Sequence, residues 1–212
     1  MSGYYPVGLR LAGRRALLVG GDASVAARAR RLRAAGADVV VVDVAPCEEL
    51  VGLERDGAVT LARRDFALSM VTGFHVVILA RRDSRLATAL WARARTGRFL
   101  LSCVDEPDCS HFAHPAIVES GPLQVDVSSD GRAPALARAV RDLLSGLFGD
   151  RFARFAEHIA GVRAALREMP LEVRQREMEE SLRGLALRGE IVLPDWYTRG
   201  DETGPIKTEE PF

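Results

Sequence analysis

From residue 14 to residue 104, short apolar runs alternate with segments whose apolar positions recur at helical spacing. Ala16-Leu17-Leu18-Val19 predicts a buried strand, followed by a glycine turn and a helix through Ala35 that Gly36 stops. Asp38-Val39-Val40-Val41-Val42 is the next strand, and a short helix follows Pro46. An edge strand lies near Ala58-Val59-Thr60-Leu61, and a third core strand spans His75-Val76-Val77-Ile78-Leu79. A helix over Ser84 to Arg95 then leads to the strand Phe99-Leu100-Leu101-Ser102-Cys103. Strands that are apolar throughout, separated by helices, imply a parallel sheet covered on both faces: an α/β, Rossmann-like domain over residues 1–113.

The rhythm changes after residue 114. Ala116-Ile117-Val118 and Leu123-Gln124-Val125-Asp126-Val127 flank Glu119-Ser120-Gly121-Pro122, which predicts a β-hairpin. Pro134 opens a helix running to about Phe148. A hairpin and one helix do not enclose a core, so residues 114–148 are expected to pair with a second subunit as a dimerisation domain. Residues 149–199 predict a helical domain, with two arginine-rich amphipathic helices broken near Pro170. The prolines and charges of 200–212 predict a mobile tail.

Composition narrows the class. The chain has 212 residues, and its 29 basic and 29 acidic side chains cancel, leaving no global field to attract nucleic acid or an anionic membrane. No apolar run approaches the ~20 residues needed to span a bilayer, and the first ten residues hold no hydrophobic signal core. Cys47, Cys103 and Cys109 show no disulfide spacing, which points to a reducing cytoplasm. The arginines from Arg28 to Arg33 read as a solvated helix face.

Candidate chemistry gathers at the strand ends. Asp105 follows the Cys103 strand at the sheet's carboxyl edge, where a carboxylate can act as a base on a ligand in the crevice. The first turn, Gly20-Gly21-Asp22-Ala23-Ser24-Val25, is an imperfect dinucleotide loop. Alanine takes the middle glycine's place, and Asp22 brings negative charge to a helix start that attracts anions. Asp43 ends the second strand where a carboxylate accepts from a ribose hydroxyl, favouring NAD over NADP. The competing reading is a turn that only packs. Ser128 and Ser129 either cap the following helix or meet ligand carboxylates. His75 and Trp91 read as structural, whereas Trp196 and Tyr197 are candidates to cover a pocket or a partner surface.

Three motifs together resemble the precorrin-2 dehydrogenase / sirohydrochlorin ferrochelatase family of siroheme synthesis, over about Tyr5 to Leu147. The family's G-G-G-x-V-A-x-R-K is met by Gly20 to Ala29, with one extra residue and without the third glycine and the lysine. Its V-D-D-P-x-x-C-N-F-x-x-P-A is met by Val104 to Ala116. Its G-x-L-x-x-x-[IV]-S-[ST]-G-G-x-S-P-x-L-A-R is met by Gly121 to Arg138, with Asp130, Arg132 and Ala133 departing. The resemblance implies NAD-dependent oxidation of precorrin-2 to sirohydrochlorin, insertion of Fe²⁺ as substrate metal, a homodimer, and Asp105 as the base for both steps.

Candidate cofactor contacts are Gly20, Gly21, Asp22, Ala23, Ser24, Val25, Asp43, Ala80 and Arg81, and candidate substrate contacts are Arg82, His111, His114, Ser128, Ser129 and Arg132, although Asp22, Ala23, Arg81, Arg82 and Arg132 depart from the family pattern. The family favours A-T-[DN]-[DN] after the third strand, and this chain has Ala80-Arg81-Arg82-Asp83. Those arginines either pair with the carboxylates of the tetrapyrrole or begin a helix in solvent. Cys103, Cys109, His111 and His114 are spaced as a possible iron-handling cluster, with the two histidines the better ligands. Two alternatives share the pocket: a metal chelatase that does not use NAD, and a non-catalytic tetrapyrrole-binding protein.

Overall fold

The computed structural model describes residues 4–188 and 192–193. Trp196, Tyr197 and the expected tail at 200–212 lie outside the described residues. Five parallel strands form the main sheet: β1 (Arg15–Val19), β2 (Asp38–Val42), β3 (Thr60–Ala62), β4 (Val76–Leu79) and β5 (Leu100–Cys103), in the order β3-β2-β1-β4-β5. Helices α1 (Ala23–Ala34), α2 (Glu48–Arg55) and α3 (Ser84–Ala94) make crossovers between them. The Rossmann-like sheet expected from the apolar runs is therefore present, and the run near Ala58 is its edge strand.

The three central strands, β2, β1 and β4, are apolar on both faces because both faces are covered. Leu18, Val39, Val41, Val76 and Ile78 pack with Val25, Ala26 and Ala29 of α1 and Leu50 of α2. Leu17, Val19, Val77, Leu79 and Leu101 pack with Ala87 and Leu90 of α3. The order of strands reverses between β1 and β4, so the crevice outside their carboxyl ends is where a sheet of this topology holds ligands.

β6 (Ala116–Ser120) and β7 (Leu123–Val127) form the expected antiparallel hairpin, and α4 (Pro134–Leu147) packs on it. Gly121 turns the hairpin at φ 57°, and a Cβ there would lie 2.9 Å from the Ala153 carbonyl oxygen. Along α4, Leu136, Leu143 and Leu147 stay exposed while Ala137 is buried. α5 (Asp150–Ala165) and α6 (Leu171–Ser181) follow, separated near Pro170 as expected. The chain divides into two compact units, Met1–Ala153 and Arg154–Phe212. Among the described residues no helix is long and apolar enough to cross a membrane.

Candidate active site

The glycine turn sits at the switch point between β1 and β4. Gly20 takes φ 137°, a region open to glycine, and a Cβ there would lie 3.2 Å from Val25 and 3.6 Å from Ala80. A Cβ on Gly21 would lie 2.7 Å from Asp43 Cγ, so the missing side chain makes room for the carboxylate that ends β2. Asp43 Oδ1 accepts from the Ala45 N–H at 2.9 Å. The register differs from the expected loop: Ala23 is the first residue of α1, not the middle of the turn, and Gly21 is the point of close approach.

Asp22 caps α1. Its Oδ1 accepts from the Val25 N–H at 3.0 Å and from the Ser24 hydroxyl at 2.6 Å. The Ser24 bond, with the Val25 N–H behind it, holds the Asp22 carboxyl below its usual range against a desolvation cost. The helix start that would attract a phosphate thus carries an anion of its own. A dinucleotide fits through the glycine turn and the Asp43 carboxylate. Asp22 is the member a pyrophosphate would have to displace.

Asp105 lies past the end of β5 with φ 63°, left-handed backbone that aspartate tolerates better than most side chains. Its Oδ2 accepts from Arg82 Nε at 2.5 Å, and the two side chains are 52% and 83% exposed. Arg81 pairs with Asp83 at 3.8 Å. Neither arginine begins the helix: Asp83 caps α3 by accepting from the Leu86 N–H. The Ser84 hydroxyl donates to the Glu106 carboxylate, fastening the same two loops a second time. Ser110 closes the Asp105 loop from within, its Oγ accepting from the Cys103 N–H and donating to the Glu106 carbonyl, each at 2.9 Å.

Beside α1 a groove of about 530 Å³ opens between that helix, residues 113–117 and the start of α4. Arg28 and Arg31 line it from α1, Arg138 and Arg141 from α4, with His114, Ser24, Ser128 and Ser129 between them. The four arginines were not legible as a site. Arg28 and Arg31 belong to the solvated face expected from the sequence, and that face borders the groove. The signal lay in pairing α1 with α4, and no local pattern states that pairing. Ser129 Oγ also accepts from the Ala133 N–H at 3.0 Å and Ser128 Oγ from the Asp130 N–H at 3.2 Å, so these hydroxyls shape the loop while lining the groove. Arg132 is exposed and does not line it. Asp105 is outside the groove, at the start of the loop whose far end, Ala113 to Pro115, enters it.

The expected cluster of cysteines and histidines is not brought together. His111 Nδ1 accepts from the Leu101 N–H at 3.1 Å, and its ring lies 4.7 Å from Trp91, which packs with the α3-side core. His114 instead faces Phe112 at 5.3 Å, and Phe112 packs with the α1-side core. Desolvation, then the charges of Arg28 and Arg31, push the His114 imidazole down to about 4. The His114 ring is therefore neutral at pH 7. Burial pushes the Cys103 thiol up to about 12 and raises Cys109 as well, which makes both poor metal ligands. Among the described residues no three His, Cys, Asp or Glu side chains gather as a metal site. His75, read as structural, accepts the Arg15 N–H on its Nδ1 at 3.3 Å.

Comparison with known proteins bears on this arrangement. Residues 7–116 match the family described as putative NAD(P)-binding, more than half of the chain. The chain belongs to that family. Residues 120–147 of this NAD(P)-binding-family member match a second description, sirohaem biosynthesis protein central, so the resemblance carried by the motifs stands. A siroheme synthase of Chromobacterium violaceum is 31% identical over 201 residues, 94% of this chain and 41% of that protein. A siroheme synthase of Edwardsiella ictaluri is 35% identical over 158 residues, 74% of this chain and 34% of that protein. The chain thus spans well under half the length of these relatives. Its fold is that of SirC, a precorrin-2 dehydrogenase, with a TM-score of 0.75 at 18% identity over 85% of this chain and 90% of that one.

Proposed function

We propose that this chain is a cytoplasmic, homodimeric enzyme of siroheme biosynthesis, oxidising precorrin-2 with NAD, inserting ferrous iron into sirohydrochlorin, or doing both. The arginine-lined groove carries the reading, because it lies where the NAD(P)-binding region meets the sirohaem central region. A polycarboxylated macrocycle suits it. Arg28, Arg31, Arg138 and Arg141 offer planar forks to carboxylates, Ser128 and Ser129 offer hydroxyls, and the neutral His114 adds a donor without further charge.

Asp105 is the catalytic base in this reading. Its carboxylate takes a pyrrole N–H proton as the metal enters, or a carbon-bound proton in the oxidation. Bound NAD supplies the hydride acceptor for the oxidation. Gly20, Gly21, Ser24, Asp43, Ala80 and Arg81 are the residues that would hold it, with Asp43 meeting a ribose hydroxyl and disfavouring the extra phosphate of NADP. The exposed Leu136, Leu143 and Leu147 of α4 give the homodimer an apolar surface to bury. A second reading, chelatase without NAD, draws on the Asp22 carboxylate at the start of α1.

The test is purified protein with sirohydrochlorin and Fe²⁺ or Co²⁺ followed by absorbance, beside precorrin-2 with NAD. Metal insertion or NADH formation that is lost in Asp105→Asn supports the proposal. Metal insertion without NADH formation selects the second reading. Failure of both reactions in the wild-type protein overturns the enzyme.

A further inference from the structure

Arg82 is placed oddly for a residue that only decorates a helix start. One of its five N–H donors is spent on Asp105, and the rest of the guanidinium stands in solvent. The loop that carries Asp105 does not depend on that bond. Ser110 ties it internally through Cys103 and Glu106, and Ser84 ties it to the neighbouring loop through the Glu106 side chain. Removing Arg82 therefore frees the Asp105 carboxylate without releasing its backbone. An exposed pair of this kind is weak and readily exchanged. A carboxylate ligand arriving with two oxygens can engage the guanidinium as a fork, whereas a single Nε contact joins Arg82 to Asp105.

We infer that Arg82 is a gating residue: it engages Asp105 Oδ2 in the free protein and passes to a carboxylate of the incoming tetrapyrrole, so the base is released from its cation only when a polyanionic ligand is present. This rests on the tetrapyrrole reading above and adds to it a specificity for carboxylated over neutral macrocycles. Asp105 and the ligand then compete for one cation. Removing Asp105's charge frees Arg82 for the ligand, and removing Arg82 takes away the ligand's partner. The two substitutions must shift affinity in opposite directions, whereas a loop that merely needs the pair shifts the same way in both.

The experiment is equilibrium binding of uroporphyrin, a carboxylate-rich tetrapyrrole, and of its methyl ester, followed by fluorescence in the chain of 212 residues. Asp105→Asn is chosen because asparagine tolerates left-handed backbone. Expected are tightening of about threefold in Asp105→Asn and weakening of about fivefold in Arg82→Gln, with the double variant matching Arg82→Gln and Arg82→Lys lying between it and wild type. The ester should be insensitive to all four. Equal affinity in wild type and Arg82→Gln overturns the gate, as does a shift of the same sign in both single variants. Arg28→Ala with Arg138→Ala is the control for the underlying reading. If that variant loses affinity while Arg82→Gln does not, only the gate fails; if neither loses affinity, or the wild type does not bind, the groove assignment falls too.

Discussion

Asparagine at position 22 separates two jobs that aspartate now does at once. The Asp22 side chain caps α1 through the Val25 N–H and the Ser24 hydroxyl, and it places a full negative charge where the pyrophosphate of a dinucleotide belongs. Asparagine caps a helix about as well as aspartate, so Asp22→Asn keeps the hydrogen bond and removes the charge. The carboxyl titrates below its usual range, so it is ionised throughout neutral pH. For a phosphate about 6 Å from that charge, Coulomb's law gives repulsion of about 0.7 kcal/mol with water-like screening and about 2.8 kcal/mol at an effective dielectric of about 20. Asp22 is exposed, so the lower half of that interval applies. Asp22→Asn should then bind NAD about three- to twentyfold more tightly. Calorimetric titration with NAD at low salt measures the gain, which should shrink at high salt as screening shortens. A thermal melt checks that the cap survives. Unchanged or weaker NAD affinity in a variant that melts like wild type would refute the placement of the pyrophosphate at α1.

Three further outcomes follow from other parts of the structure. The His114 imidazole sits near 4 in the folded chain against an ordinary value of 6.5, so between those values the unfolded chain holds a proton that the folded chain lacks. Stability is therefore complete above about pH 6.5 and falls as the pH drops toward 4, and urea titrations of wild type and His114→Asn across that window should diverge; parallel curves refute it. Leu143, 74% exposed on α4, should break the proposed dimer when changed to glutamate while the monomer stays folded, read by light scattering; a wild-type monomer or an intact variant dimer counts against the α4 surface. Gly21→Ala should push Asp43 off the Ala45 N–H, costing about 1 kcal/mol of stability and weakening NAD binding, and a variant that binds NAD as wild type does would mean the turn has no role in holding it.

The alternation of apolar strands and helical spacing was enough to read the covered parallel sheet, because burying a strand on both faces leaves an uninterrupted apolar run that no surface strand shows. The hairpin at Gly121, the proline-started helix after it and the break at Pro170 were legible for a similar local reason, since glycine and proline restrict or release the backbone where they stand. The motifs likewise carried the family resemblance and singled out Asp105. Only the folded chain decided the partners across distance. Arg82 meets Asp105 because β4 and β5 are neighbours, and Arg28 and Arg31 meet Arg138 and Arg141 because α1 faces the helix that follows the hairpin. His111 and His114, three positions apart, meet different rings, Trp91 and Phe112, and Asp22 proved to cap the helix. Periodicity reports how a residue meets its own element, whereas a site is made between elements, and that information exists only once the sheet has closed.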